Sequence, residues 1–218
     1  MDHLQLVIFD MDGLLFDTER ISFSAMKTII EKQGFFFTLE NYKSMIGLGS
    51  AEELDHLYKG LYGKDFPTHL VLDDYDTLLI QLVKEETNII KKGVVNLLDA
   101  IDRRGLKKCI ASSSSRNTIE FYLSISGLTE RFDFYVSGEE VENGKPHPDI
   151  FLEACTRANV SPENVLVLED SLNGLRAANS AKMRCIIIPD LIEKNVEMDK
   201  SAYAIFSDLE QVIPILPN

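Results

Sequence analysis

The first feature of the chain is an apolar run that stops abruptly at acidic residues. Residues 4–10 are mostly apolar up to Asp10, and Asp12 and Gly13 follow directly. A short, continuous apolar run is typical of a strand that is buried on both faces of a parallel sheet. Parallel sheets present ligands at the carboxyl ends of their strands, so Asp10 and Asp12 are predicted to lie at a binding crevice.

After this strand the apolar positions change to a helical period. The first predicted helix begins near Thr18, and one of its faces carries four apolar residues: Ile21, Ala25, Ile29 and Ile30. Further helical segments continue to residue 90, and no convincing strand lies among them. The interval 18–90 is therefore predicted to be an all-helical insertion after the first strand.

Beyond residue 90 the pattern alternates between short apolar runs and amphipathic helices. Five further strands are predicted in this part: residues 106–111, 132–136, 165–168, 185–188 and 204–206. This alternation predicts an α/β fold in which a doubly wound parallel sheet is joined by right-handed crossovers. The core would comprise residues 1–17 and 91–218, interrupted by the helical domain 18–90.

Charge and length narrow the possible partners. Lys and Arg number 22 and Asp and Glu number 35, so the formal net charge is −13. An acidic chain of this kind disfavours nucleic acid and membrane surfaces as partners, and an anionic substrate would need local cations to attract it. No apolar run approaches the about 20 residues that span a bilayer, and residues 1–3 do not resemble the start of a signal peptide.

Cysteine usage bears on the compartment. Cys109, Cys155 and Cys185 are too few and too scattered to predict a disulfide framework or a zinc site. Buried thiols in a reduced cytoplasm are the simpler interpretation. We therefore expect a cytoplasmic protein. A monomer or a weak homo-oligomer is expected, and nothing in the sequence decides between them.

Several polar residues follow predicted strands or lie in a loop before a helix at the same sheet edge: Asp10, Asp12, Ser112, Lys145, Glu169 and Asp170. Together they would form a cluster of four carboxylates, one hydroxyl and one ammonium. Such carboxylates repel each other unless a cation or a proton lies between them, and oxygen-rich ligation favours Mg²⁺. A carboxylate nucleophile beside a metal, a hydroxyl and a lysine is a natural phosphoryl-transfer site.

The order and spacing of these residues resemble the four motifs of the haloacid dehalogenase superfamily. The longer strings at residues 10–19, 144–149 and 168–174 look like its β-phosphoglucomutase-like phosphatase branch. The resemblance covers nearly the whole chain. It implies a Rossmann-like core, with residues 18–90 as a cap that closes over the site and excludes bulk water.

The resemblance also implies roles for individual residues. Asp10 would attack phosphorus to form an aspartyl phosphate, and Asp12 would protonate the leaving oxygen and then activate water. Ser112 and Lys145 would hold the transferring phosphoryl group. Ser113 is counted with them, although Ser113 to Ser115 also suit turn and helix-cap positions. The implied Mg²⁺ ligands are the carboxylate of Asp10, the backbone carbonyl of Asp12, Asp170, and Glu169 directly or through water.

Departures from the family pattern bear on the reaction. Ser22 takes the position at which β-phosphoglucomutase carries a histidine, and residues 46–50 lack the lysine and arginine of its cap loop. The second anion site of a mutase is therefore missing from the sequence. We favour simple hydrolysis of a small phosphorylated metabolite, such as a sugar phosphate or a similar monophosphate. Asp12 argues against a dehalogenase, whose relatives lack a carboxylate at that position.

Two other functions stay open. The first is a β-phosphoglucomutase-type phosphosugar mutase, which would interconvert hexose phosphates. The second is a non-enzymatic binding protein that keeps only the fold, and it is disfavoured because no catalytic position has been lost.

Overall fold

The structure is a computed structural model that describes residues 1, 3–46, 51–86 and 88–217. The chain divides into two compact units, Met1–Asp17 with Ile90–Asn218 and Thr18–Ile89. The predicted insertion ended at residue 90, but Ile90 belongs to the first unit because it forms an antiparallel bridge with Phe16. That the two units are separate domains stays a prediction.

The described residues of the second unit contain four helices and no strand: α1 (Thr18–Lys32), α2 (Leu39–Lys43), α3 (Ala51–Tyr62) and α4 (Thr68–Glu85). The four apolar residues predicted to share one face of α1 are all buried. The last helix was predicted to reach residue 90 and ends earlier. Glu86 adopts an extended backbone there, and the residues that follow it, Thr87 and Asn88, are weak helix formers.

Two segments of this unit differ from the sequence prediction or lie outside the described residues. Three consecutive phenylalanines at residues 35–37 predict an apolar turn that packs in the core, yet Phe36 is 75% exposed while Phe37 is buried. The ring of Phe37 packs on that of Phe23 of α1, with 6.0 Å between the ring centroids. The loop compared with that of β-phosphoglucomutase lies largely outside the described residues, which stop at 46 and resume at 51.

The first unit is built on a six-stranded parallel sheet. Its strands are β1 (Leu6–Phe9), β2 (Lys107–Ser112), β3 (Phe134–Ser137), β4 (Val165–Glu169), β5 (Arg184–Ile187) and β6 (Ala204–Ile205). Their spatial order is β3-β2-β1-β4-β5-β6, and every neighbouring pair is parallel. The predicted Rossmann-like α/β fold is confirmed. The strand order reverses at β1, and this is where such sheets open a crevice at their carboxyl ends.

Helices cover the sheet: α5 (Val94–Arg103), α6 (Arg116–Ser126), α7 (Asp149–Ala158), α8 (Leu172–Ser180) and α9 (Val196–Ser201), with a 3₁₀ helix at Leu209–Ile215. Leu6 and Ile8 join a core cluster that includes Phe151 of α7 and Leu175 of α8. All four residues of β1 are fully buried, so both faces of the strand are covered as predicted. The three cysteines are buried and free.

Hydropathy gives a further negative finding. Among the described residues, no helix is both long and apolar enough to cross a membrane.

Candidate active site

A tight turn at the end of β1 fixes the first two acidic residues. The Asp10 amide donates to the Leu168 carbonyl at 3.0 Å, which keeps Asp10 in line with β4. The Met11 carbonyl accepts from the amides of the residues after Gly13, and Gly13 itself has a φ of 78°. That left-handed conformation favours glycine, so the sequence Asp10-Met11-Asp12-Gly13 can turn sharply and hold both aspartates at the sheet edge.

Lys145 reaches the same edge from the loop before α7. Its Nζ lies 2.5 Å from Asp10 Oδ1 and 2.7 Å from Glu169 Oε1, and it donates to the Ala111 carbonyl at 3.0 Å. The ammonium also lies 5.1 Å from the ring centroid of Phe151. The side chain is only 5% exposed, so its three N–H groups are directed to these three oxygens rather than to water.

The charges in this cluster do not balance. One ammonium faces two buried carboxylates, Asp10 and Glu169. The pKa of Asp10 is raised to about 8. Burial is the main cause, Lys145 opposes it, and Glu169 adds to the rise. Burial alone would lower the pKa of Lys145, but Asp10 and Glu169 outweigh it and the pKa is raised. Two ionised carboxylates would outnumber the single ammonium, so the site without a cation favours the protonated form of Asp10, and a bound cation would stabilise its ionised form.

Glu169 is fixed at both of its oxygens. While Oε1 contacts Lys145, Oε2 accepts from the amides of Asp170 and Ser171, each at 3.0 Å, and from Ser171 Oγ at 2.9 Å. The residue is completely buried. Its carboxylate is therefore held between the ammonium and the start of α8, where helix amides favour negative charge.

Three carboxylates could hold a metal ion. Asp10, Glu169 and Asp170 each offer an oxygen, and these atoms lie within 4.8 Å of one another. The donor set is all oxygen, which suits a hard cation such as Mg²⁺. Both Glu169 oxygens accept hydrogen bonds, so a metal ion that bound Glu169 directly would share those oxygens with Lys145 and Ser171.

The serine run after β2 separates into distinct environments. Ser112 is buried, and its Oγ accepts from the Ser114 amide at 3.1 Å. Ser114 Oγ donates to Asp12 Oδ2 at 2.7 Å. Ser115 caps α6 by accepting from the Thr118 amide, as its position suggested, and the Ser113 side chain is exposed. The Ser114–Asp12 contact is a feature that the sequence did not indicate, since four consecutive serines give no sign of which one faces the aspartate.

The predicted residues thus fall into two connected groups. Asp10, Lys145, Glu169 and Asp170 lie in one cluster, and Asp12 joins the serine turn through Ser114. The sheet brings them together because β1, β2 and β4 are neighbours whose carboxyl ends share one edge. An acidic cluster with one shared ammonium beside a hydroxyl-rich turn can receive an anionic group only with cationic help.

The chain is similar to several known proteins. The family model described as haloacid dehalogenase-like hydrolase matches residues 7–188. A phosphorylated carbohydrates phosphatase from Thermotoga maritima is 31% identical over 218 residues, which cover 98% of each chain. The crystal structure of CbbY from Rhodobacter sphaeroides in complex with phosphate has a TM-score of 0.81 at 26% identity, covering 96% of both chains. β-Phosphoglucomutase (pgmB) from Clostridium difficile has a TM-score of 0.79 at 28% identity, covering 96% of this chain and 93% of that one.

Proposed function

Because the chain belongs to the haloacid dehalogenase-like hydrolases, we propose that it is a Mg²⁺-dependent phosphatase acting on a small phosphorylated metabolite. The substrate class is a sugar phosphate or a similar monophosphate, in line with the T. maritima relative named as a carbohydrate phosphatase. The observation that carries the proposal is the buried Lys145 ammonium between Asp10 and Glu169, next to Asp170. This arrangement places one cation, the Lys145 ammonium, beside the carboxylate that we propose as the nucleophile.

The reaction proceeds in two displacements at phosphorus. A carboxylate oxygen of Asp10 attacks, so that an Asp10–phosphorus bond forms as the ester P–O bond breaks. Asp12 gives its proton to the leaving alcohol. Asp12 then takes a proton from water, whose oxygen attacks phosphorus, and release of inorganic phosphate restores Asp10. Both aspartates end in their starting protonation states.

The remaining residues position and stabilise charge. Lys145 fixes Asp10 through its contact with Oδ1 and offsets charge on the phosphoryl oxygens by its proximity. Ser112 and Ser113 are proposed to contact the phosphoryl group. Mg²⁺ would be held by the carboxylates of Asp10 and Asp170 and the backbone carbonyl of Asp12, with Glu169 beside it. When bound, it would neutralise negative charge on the phosphoryl oxygens.

Hydrolysis of an aryl phosphate in the presence of Mg²⁺ tests this function. We expect wild-type turnover that is abolished by a chelator and restored by added Mg²⁺. Asp10→Asn should lower turnover by about 10³-fold or more, because the amide is a poor nucleophile. The control is Asp65→Asn, which makes the same chemical change at an exposed residue of the second unit and should leave turnover unchanged. Full activity of Asp10→Asn would reject the nucleophile, and full activity in chelator would reject the metal.

A phosphosugar mutase is the second candidate, since the fold is similar to that of a β-phosphoglucomutase. It predicts that a hexose 1-phosphate becomes a hexose 6-phosphate when a hexose bisphosphate is present. We expect inorganic phosphate and free hexose instead, because Ser22 replaces the histidine of that family. Product analysis by ³¹P NMR separates the two outcomes.

A further inference from the structure

Gly174 lies in α8 at the point where the helix meets the Glu169 carboxylate. A Cβ atom built on Gly174 would lie 1.8 Å from Glu169 Oε1, 1.9 Å from Cδ and 2.4 Å from Oε2. Real Cβ atoms essentially never come within 3.0 Å of such neighbours. The Glu169 carboxylate therefore occupies the volume that any other side chain at position 174 would need.

Backbone strain does not explain this glycine. Gly174 is not among the glycines with a positive φ, and it lies in the first turn of α8 as the third residue of the helix. Without tertiary contacts, alanine is a better helix former than glycine. The close approach of the carboxylate is thus the physical reason for glycine at this position.

Ser171 completes the site that holds the carboxylate. It is the N-cap of α8, and its Oγ accepts from the Gly174 amide at 3.0 Å while donating to Glu169 Oε2 at 2.9 Å. One hydroxyl therefore links the start of the helix to the buried acid. With Oε2 fixed in this way, Oε1 is directed at Lys145 Nζ, which in turn contacts Asp10.

We propose that Gly174 and Ser171 are positioning residues that hold Glu169 against Lys145 and thereby fix the place of Asp10. Neither residue touches the reacting atoms, and both act through the chain of contacts from Glu169 to Lys145 to Asp10. The effect on turnover rests on the proposed phosphatase function. The steric part does not, because it concerns only the fit between position 174 and Glu169.

A stability experiment tests the steric part without any substrate. We expect Gly174→Ala to lower the melting temperature by at least about 4 °C. Gly60→Ala in α3 is the matched control, because a Cβ there meets nothing within 4 Å, and it should leave the melting temperature unchanged or raise it. In a Glu169→Ala background the carboxylate is gone, so Gly174→Ala should no longer lower the melting temperature. An equal loss in both backgrounds, or no loss in the wild type, overturns the steric part.

An activity experiment tests the positioning role in variants that remain folded. We expect Ser171→Ala to lower kcat about tenfold with a smaller change in KM, because a displaced nucleophile affects the chemical step. Ser171→Thr keeps the hydroxyl and should recover most of the lost kcat. Wild-type kcat in Ser171→Ala, or a threonine variant as slow as the alanine variant, overturns the positioning role. A wild-type protein without phosphatase activity would instead count against the proposed function, and the melting experiment would still decide the fit at Gly174.

Discussion

The Ser114 hydroxyl donates to Asp12, the residue for which we propose proton transfer. A hydroxyl bonded to one carboxylate oxygen restricts the rotation of the carboxylate and thereby the direction in which it gives or takes a proton. Ser114 is itself fixed on both sides, since its amide donates to Ser112 Oγ and its carbonyl accepts from the Gly138 amide. At the residue scale, Ser114 is therefore suited to orient Asp12.

Replacing Ser114 by alanine should slow substrates that need a protonated leaving group. We expect Ser114→Ala to lower turnover of an alkyl phosphate about tenfold or more, and that of an aryl phosphate with an acidic phenol much less. The comparison of the two substrates in one variant is the measurement. Ser124→Ala, an exposed serine of α6, is the control. Equal losses on both substrates would contradict a role in leaving-group protonation.

Single residues show how far sequence reasoning extends. The meeting of Asp10, Lys145 and Glu169 follows from strand ends and a motif, and the structure brings the three together. The direction of the Glu169 carboxylate could not be predicted, because it depends on amides at the start of α8 and on space left by Gly174. Such details arise from tertiary approach and leave no periodic signal.

At the scale of elements, Glu140 connects three parts of the first unit. Its Oε2 lies 2.7 Å from Arg157 Nη2 of α7 and 3.1 Å from Arg116 Nη2 of α6. Its Oε1 accepts from the Ser137 amide at the end of β3. Burial alone would raise the pKa of Glu140, but the Ser137 amide and Arg157 outweigh it and the pKa is lowered. A lowered pKa means that the charged form stabilises the fold.

Protonation of Glu140 should therefore weaken this connection in acid. Its contribution is present above the ordinary pKa of 4.5 and is lost as the pH falls through the lower folded-state value. We expect Glu140→Gln to reduce the unfolding free energy by about 1 kcal/mol or less at pH 7, because the group is near the surface. The deficit relative to the wild type should shrink at pH 3 in urea titrations. The exposed Glu142→Gln is the control, and a deficit that is independent of pH would contradict the assignment.

Gly93 lies where the start of α5 packs against the 3₁₀ helix Leu209–Ile215. It is the N-cap of α5 with a φ of 87°, and a Cβ there would lie 2.7 Å from the Glu210 amide nitrogen. Gly93→Ala should lower the unfolding free energy by at least about 2 kcal/mol, since strain and overlap add. Gly34→Ala isolates the strain, because Gly34 has a φ of 86° but open space, and it should cost about 1 kcal/mol. The unfolding free energies of both variants are measured by urea titration. Equal losses in Gly93→Ala and Gly34→Ala would contradict a steric cost at Gly93.

The helices differ in how accurately the sequence predicts their presence and their ends. A helix that ends at a left-handed glycine is marked in the sequence by that glycine, as at Gly127 after α6. The helix α9 (Val196–Ser201) was not predicted, because it buries only Met198 and so lacks an apolar period. The end of α4 (Thr68–Glu85) was placed too late, because the apolar residues continue beyond the last hydrogen-bonded turn. A pattern of side chains predicts burial, and it predicts helix ends only where a capping residue marks them.

At the scale of the whole molecule, the net charge of −13 opposes an anionic substrate. Lys145 supplies positive charge at the site but is shared between Asp10 and Glu169. Long-range repulsion between exposed charges is screened over about 10 Å at 0.1 M salt, whereas the buried contacts of Lys145 are screened far less. Added salt should therefore weaken the long-range repulsion of the substrate and leave the buried contacts of Lys145 largely unchanged.

We expect kcat/KM for a doubly charged monophosphate to rise about two- to threefold between 10 and 150 mM NaCl at fixed free Mg²⁺. Chloride is the appropriate anion, because sulfate or phosphate would compete at the site. Comparison of kcat with KM separates encounter from chemistry, and the change should lie in KM. A steady fall of kcat/KM with salt would indicate local attraction that exceeds the overall repulsion.

The bridge between Phe16 and Ile90 has a consequence for the evolution of the chain. Together with the 2.9 Å hydrogen bond from the Lys91 amide to the Leu15 carbonyl, it makes the backbone leave and re-enter the first unit at one point. Residues 18–89 thus form an insertion between two adjacent anchor points. The length of this insertion does not affect the register of β1 in the sheet. Doubling such a loop adds only about 0.6 kcal/mol of closure entropy. Insertions, deletions and even replacement of the whole segment can therefore accumulate between these anchors while the strand that carries Asp10 is inherited unchanged.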